Sequence, residues 1–442
     1  MEDALVIYGG NTLRGDVTLS GAKNVSLKIM IAALMFENEV ILENVPRIVD
    51  VMELIDLIKA LGGYAEFIDK NTLKIDGRTL KEKTVDLLYG SKIRVSFMLF
   101  APLLYRFGSC SVPNPGGCRI GARPIDRIVD GMMAIGIDVH YHSETGYYDA
   151  NLRSPVKGSF TFTKASHTAT ELLILLSLMA TEPIRINNAA LEPEIDELIS
   201  FLNASNAKIT REGTTIVIKP GQKLVATAPF TIIADRNEAV TYATMALTTK
   251  GDVRIHGINR KHMEYFDRKI GEVGGGIAYE GTTTRYFYKG ILKASKIETA
   301  PHPGFMTDWQ PNWAVLMTQA EGTSMIIERV FENRFAYVEE LRKLGAVIDF
   351  VKAPVPNPVE YFFFNFDPNK AYNQAIRLEG PKHLHGGALH INDLRAGASL
   401  AVAALTAEGE SVIIGSTILA RGYENFIEKV RGIGGEIREG EV

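Results

Sequence analysis

The chain has 442 residues, 46% hydrophobic and 23% charged, with a formal net charge of -4. This is the composition of a globular protein too long for one compact core, and it excludes a nucleic-acid binder that relies on overall basic charge. Two cysteines make no disulfide framework, MEDALVIYGG lacks a secretory leader's basic end and apolar core, and the longest apolar run, LLILLSLMA at 172–180, is too short to span a bilayer. A cytoplasmic protein is expected, with neither a membrane nor a nucleic acid as partner.

In chain order, one pattern recurs: an apolar helix, a strand, an amphipathic helix, a small-residue break and a closing strand. The first copy has KNVSLKIMIAALMF (23–36) as a buried helix, EVILENV (39–45) as a strand and DVMELIDLIKAL (50–61) as the amphipathic helix before a Gly-Gly break. The second runs through IRVSFMLFAPLLYRF (93–107) to PIDRIVDGMMAIGIDVHYH (124–142), and the third opens on ATELLILLSLMA (169–180). Copies four, five and six start near NEAVTYATMALTT (237–249), WQPNWAVLMTQ (309–319) and DLRAGASLAVAALT (393–406). Their breaks fall about 70 residues apart, longer than solenoid units, so these are α/β modules. A Pro/Asn-rich, aromatic insertion at 353–390 stretches the last interval. Six copies divide into two domains of three, with the boundary near PGQKLVATAPF (220–230).

The continuously apolar first helices must be buried, and the residues before them would face an interdomain cleft. Helix N-termini attract anions there. Copy one offers Lys23, copy five Asp308, and copy six Asp393 and Arg395.

The stretch CSVPNPGGCRIGARPID (110–126) is a loop by its glycine and proline content. Within it Cys118 lies beside Arg119 and Arg123, a positive field that favours the thiolate. No Walker or dinucleotide phosphate loop is present. His383, His385 and His390 cluster without zinc-motif spacing and read as solvated loop histidines.

SGAKN (20–24), PGGCRIGARP (115–124), TAPHPGFMTD (299–308), VFENRF (330–335), DLRAGAS (393–399) and RGYE (421–424) together resemble the UDP-N-acetylglucosamine enolpyruvyl transferase family, in order and over essentially the whole chain. The resemblance implies a two-domain inside-out α/β barrel with six repeats. Its domains would be 1–20 with 231–442, and 21–230, the N-terminal strand threading into the C-terminal half. It implies two small-molecule substrates, phosphoenolpyruvate and UDP-N-acetylglucosamine. The enolpyruvyl group would pass to the sugar 3-hydroxyl with release of phosphate, without cofactor or metal.

By the same resemblance Cys118 is the general acid and the thiol alkylated by fosfomycin, and Asp308 is the base near the hydroxyl. Lys23, Asp393 and Arg395 assist catalysis, and Lys23, Arg123 and Arg421 bind phosphoenolpyruvate. Asn24, Arg94, Arg123, Pro124, Ile125, Asp126, Lys164, Ser166, Asp308 and Val330 contact the sugar nucleotide. The family usually has small or apolar residues where this chain has Arg127, His167 and Thr168, around the uracil pocket. A paralogue with another nucleotide or sugar acceptor is therefore carried as the alternative. A catalytically silent nucleotide-sugar sensor ranks lower, as does a shikimate-3-phosphate enolpyruvyl transferase, which lacks the cysteine loop.

Overall fold

The computed structural model describes residues 3–116, 125–221 and 223–441. The chain forms two compact units, one made of 3–20 with 234–441 and the other of 21–116 with 125–233. Among the described residues each unit holds three sheets built to one plan.

In the larger-numbered unit, Arg14–Thr18 runs parallel to Asp252–His256, which pairs antiparallel with Thr283–Phe287 and through it with Gly276–Glu280. Lys296–Glu298, Gly322–Ile327, Ala375–Gly380 and Val347–Phe350 repeat that order. In the third sheet Ala388–His390 is parallel to Gly409–Ile414, whose other neighbour is Asp3–Gly9 from the start of the chain, flanked in turn by Glu436–Glu441. The N-terminal strand thus threads into the C-terminal half; Ala4, Leu5, Val6 and Ile7 are buried there.

The 21–233 unit follows suit with Phe230–Thr231, Val40–Glu43, Leu73–Asp76 and Tyr64–Phe67, and with Ser159–Thr161, Ile184–Asn187, Thr215–Lys219 and Lys208–Glu212. Its remaining sheet has Ser109–Pro113, Tyr147–Asn151 and Asp138–His142. There the parallel edge strand shrinks to a single bridge from Thr84 to Ser111.

A parallel strand pair needs a long crossover, and in each module the crossover includes a central helix. Arg236–Thr248 and Gln310–Thr318 are buried along their whole length, and Leu394–Thr406 at all but its last residue. Lys23–Ala33 is buried except at Asn24, and His167–Ser177 except at its first two residues. Arg236–Thr248 is not especially apolar, yet it hides its hydroxyls. Thr241, Thr244 and Thr248 donate to the carbonyls of Asn237, Val240 and Thr244 at 3.2, 2.8 and 3.0 Å. Polar groups bonded back to their own helix lose little on burial.

Two expectations change. The 93–107 helix is 3-10 over Arg94–Leu99 and α-helical only over Phe100–Phe107. Pro102 has no N–H for the Met98 carbonyl, so the α-helical ladder cannot run through that point. The insertion is also shorter than 353–390, because Ala375–Gly380 and Ala388–His390 are strands of the repeat itself. What lies outside the plan is about 351–374, an aromatic cluster in which Phe362 stacks on Phe364 and Phe366. Among the described residues no helix is long and apolar enough to cross a membrane.

Candidate functional site

In the 234–441 unit the central helices begin at charged residues. Asp393 caps Leu394–Thr406 by accepting from the N–H groups of Arg395 and Ala396 at 2.9 and 3.1 Å. Asp235 caps Arg236–Thr248 in the same way, from Asn237 and Glu238 at 2.7 and 3.4 Å. These caps satisfy helix donors that would otherwise be unpaired.

Asp308 is different, because it caps nothing. Its carboxylate lies 2.8 Å from Arg334 Nη2 and 3.3 Å from Arg395 Nε. Burial would raise its pKa, but the two guanidiniums outweigh burial and hold it far below the usual carboxylate range. Arg395 is itself buried, with Nη1 lacking a hydrogen-bond partner among the described residues. Its guanidinium lies 5.8 Å from the ring centre of Tyr423, whose hydroxyl meets Thr241 Oγ1 at 2.7 Å. Arg421, at the end of the 3-10 turn Ser416–Arg421, is partly exposed.

Behind Asp308 stands a residue that the sequence reading did not single out. Glu328 is fully buried and accepts from Thr299 Oγ1 at 2.9 Å, Val330 N at 2.7 Å and Phe331 N at 3.0 Å. Its other oxygen accepts from Thr307 Oγ1 at 2.8 Å, and that hydroxyl receives Arg334 Nη1 at 2.8 Å. Glu328 therefore fixes the backbone at Val330 and, through Thr307, the guanidinium that holds Asp308. Burial raises its pKa, opposed by Arg334. The arginine within VFENRF was the available signal, since a buried arginine needs carboxylates.

In the 21–233 unit, Lys23 opens the first central helix and its ammonium sits 2.6 Å from Asp50 Oδ2, both side chains being buried. Asp50 was also missed. Just before this helix Gly21 packs closely on the chain, where a Cβ would lie 1.8 Å from the Asn44 carbonyl oxygen. Asn24, one residue on, is partly exposed. Arg94 begins its 3-10 turn with its pKa lowered by burial.

Ile125 is the buried N-cap of Asp126–Ala134, and Asp126 is exposed in its first turn. Arg127 follows, its pKa lowered by burial, and Lys164 is lowered by burial and by the charge of Arg127. A partly buried cation that depresses its neighbour favours an anion nearby. Ser166 is the N-cap of His167–Ser177 but makes no side-chain capping bond.

Cys118, Arg119, Arg123 and Pro124 lie outside the described residues. The loop's near end is anchored: a Cβ on Gly116 would lie 1.5 Å from the Ser91 carbonyl oxygen, so close approach demands glycine there. Cys110 is buried in Ser109–Pro113, and burial pushes its thiol pKa well up. His383 pairs with exposed Glu408 at 2.9 Å. Among the described residues no group of three His, Cys, Asp or Glu side chains could hold a metal ion.

Three-sheet units around buried helices, repeated twice, are the architecture of the enolpyruvyl transferases. The enolpyruvyl transferase NikO of Streptomyces tendae aligns over 100% of this chain and 99% of its own with a TM-score of 0.86, at 23% identity. EPSP synthase of Acinetobacter baumannii aligns over 99% and 100% with a TM-score of 0.72, at 18% identity. These two likenesses speak to the fold alone.

Residues 7–430 match the family model described as EPSP synthase (3-phosphoshikimate 1-carboxyvinyltransferase). The UDP-N-acetylglucosamine 1-carboxyvinyltransferase of Trichlorobacter lovleyi is 36% identical over 99% of both chains. An enzyme of Carboxydothermus hydrogenoformans with the same name, numbered 1, is 36% identical over 98% of this chain and 97% of its own. The chain belongs to this family of carboxyvinyltransferases.

Proposed function

We propose that the chain transfers the enolpyruvyl group of phosphoenolpyruvate to the 3-hydroxyl of UDP-N-acetylglucosamine, releasing phosphate, the first committed step of peptidoglycan synthesis. The observation that carries this reading is 36% identity along nearly the whole length of proteins bearing that name. The two compact units serve as its two domains.

In this reading Lys23, Arg123 and Arg421 bind the phosphoenolpyruvate anion, with Arg395 beside them. Cys118 gives its proton to the methylene carbon while the sugar oxygen bonds to the neighbouring carbon and passes its proton toward Asp308. In the second half a proton leaves the new methyl group, the double bond re-forms and phosphate departs. Asp308, clamped by Arg334 and Arg395, is a weak base. A phosphoenolpyruvate anion that draws Arg395 toward itself restores basicity when the hydroxyl needs it. Asp393 sets the backbone that presents Arg395. Asn24, Arg94, Arg123, Pro124, Ile125, Asp126, Lys164, Ser166, Asp308 and Val330 hold the nucleotide sugar.

Arg127 and His167 favour a second reading, in which the same chemistry acts on a different nucleotide or sugar acceptor. Phosphate release from phosphoenolpyruvate, measured with UDP-N-acetylglucosamine and then with other nucleotides and sugars, separates the two. Turnover with UDP-N-acetylglucosamine at least equal to every other acceptor supports the first; turnover only with another acceptor overturns it.

A further inference from the structure

The sugar-nucleotide half of the chain contains a buried ion network that the proposed chemistry does not use. Glu171 sits in the central helix His167–Ser177 with no solvent exposure. Lys28, buried in the neighbouring helix Lys23–Ala33, places Nζ 3.2 Å from Oε1 and 3.1 Å from Oε2 of that carboxylate. One turn before Glu171, His167 Nε2 lies 3.1 Å from Oε1. The His167 side chain is 24% exposed, so the network runs from the core to the surface and ends in an imidazole.

A buried carboxylate held by one lysine and one histidine is costly to build for stability alone, since an apolar trio would pack as well. Its consequence is a fixed ring orientation and a favoured imidazolium. Burial alone would lower the pKa of His167, but Glu171 and, further off, Glu192 override it against the opposing Lys28, and the net direction is upward. His167 is the first residue of its helix, directly after Ser166, an N-cap whose side chain accepts from no helix N–H. Lys164 shortly precedes this helix in the chain, and Arg127 is close enough to Lys164 to lower its pKa.

We propose that His167 is a specificity-determining residue: with Nε2 held by Glu171, its Nδ1–H donates to a phosphate oxygen of the acceptor nucleotide. The inference rests on the reading that the acceptor is a uridine nucleotide bound beside Lys164 and Ser166. Glu171 and Lys28 are positioning residues that act through the imidazole. The arrangement selects an acceptor with an anionic oxygen at that point, and apolar residues there would not.

Calorimetric titration of wild type, His167→Val and Glu171→Gln with UDP-N-acetylglucosamine, UDP and uridine tests this. His167→Val is expected to weaken both phosphorylated ligands about tenfold, the loss of one charge-assisted hydrogen bond, and to leave uridine unchanged. Equal weakening of all three would place the contact on the base, and unchanged affinities would make His167 part of the scaffold; either overturns the proposal. Glu171→Gln should move the pH at which UDP affinity falls to a lower value, because the imidazolium loses its counter-ion. An unmoved midpoint contradicts the positioning role. If that variant does not fold, the double change Lys28→Met with Glu171→Gln removes the buried pair together and carries the same expectation. Wild-type turnover checks the acceptor separately: UDP binding that depends on His167 without use of UDP-N-acetylglucosamine keeps this inference and loses that acceptor. A wild type that binds neither nucleotide overturns both.

Discussion

The two units share one scaffold but start their central helices in opposite ways. In the 234–441 unit, Asp235 and Asp393 cap their helices and Asp308 is held by two arginines. In the 21–233 unit, Ala22, Leu99 and Ser166 stand at the cap positions and none makes a side-chain capping bond. The helix-opening residues there are Lys23 and His167. One unit therefore caps two of its helices with aspartate, Gln310–Thr318 being the exception, and spends the third aspartate on orienting arginines. The other leaves its helix-start backbone donors without side-chain caps, open to an anionic ligand, and pairs its helix-opening cations with carboxylates. A repeated fold can thus divide its labour by changing only the residues at the helix starts.

The largest effect expected is at Cys118, the residue on which the proposed proton delivery depends. Cys118→Ser should lower single-turnover phosphate release by roughly 10²–10⁴-fold, the usual scale of a lost general acid. Cys118→Asp should retain turnover, since a carboxyl kept protonated by its site still delivers a proton, yet resist fosfomycin. Intact-protein mass spectrometry of wild type should place the epoxide adduct on Cys118; an adduct on buried Cys110 would reverse the assignment.

Next comes Arg334, which separates the arginine-clamped unit from its counterpart. Arg334→Gln should cost about 3 kcal/mol in denaturant unfolding, because it leaves the partly buried Asp308 and the fully buried Glu328 with less compensation. The sign of the pH effect follows from the lowered pKa of Asp308. The stability this carboxylate contributes is present above its unfolded value and is lost as pH falls through its folded value. Weakening the clamp raises the folded value, so acid unfolding should begin at a higher pH in the variant. An unshifted acid limb would mean that Arg334 does not hold Asp308.

The caps give a smaller and opposite pair. Asp393→Ala should cost about 1 kcal/mol of stability, the usual value of a lost cap. Ser166→Ala should leave the melting temperature within error and weaken UDP-N-acetylglucosamine binding instead. Equal stability losses in the two would erase the distinction between the units.

The smallest effect is at His167, whose raised pKa favours folding below the unfolded histidine value. That contribution disappears as pH rises through the folded value, so His167→Gln should flatten a slight fall in stability over that window. A fall of the same size in both proteins would show that the imidazolium does not contribute.

Much of the fold was legible because fully apolar helices such as LLILLSLMA can only be buried, and their recurrence counts the modules. Ala375–Gly380 escaped because its alternating burial lies against a Pro/Asn-rich stretch that reads as loop. At the site, the quoted motifs led to Asp308 and Arg395, which the structure brings together, and to Lys23, which it pairs with Asp50. Glu328 was not legible, since its meaning depends on Thr299 and Thr307 brought in from other segments, and Arg334 showed only as the arginine of VFENRF. Lys28 and Glu171 did leave a signal. Each is the one charge beyond the first turn of a largely apolar helix, and two such charges of opposite sign in one unit ask to be paired.

The most direct test of the account is mass spectrometry of the product formed from phosphoenolpyruvate and UDP-N-acetylglucosamine, with phosphate measured in the same reaction. The account predicts a nucleotide sugar carrying one enolpyruvyl group on its 3-oxygen, formed mole for mole with phosphate. Phosphate release without that product, or an unchanged nucleotide sugar with active, folded enzyme, would contradict it.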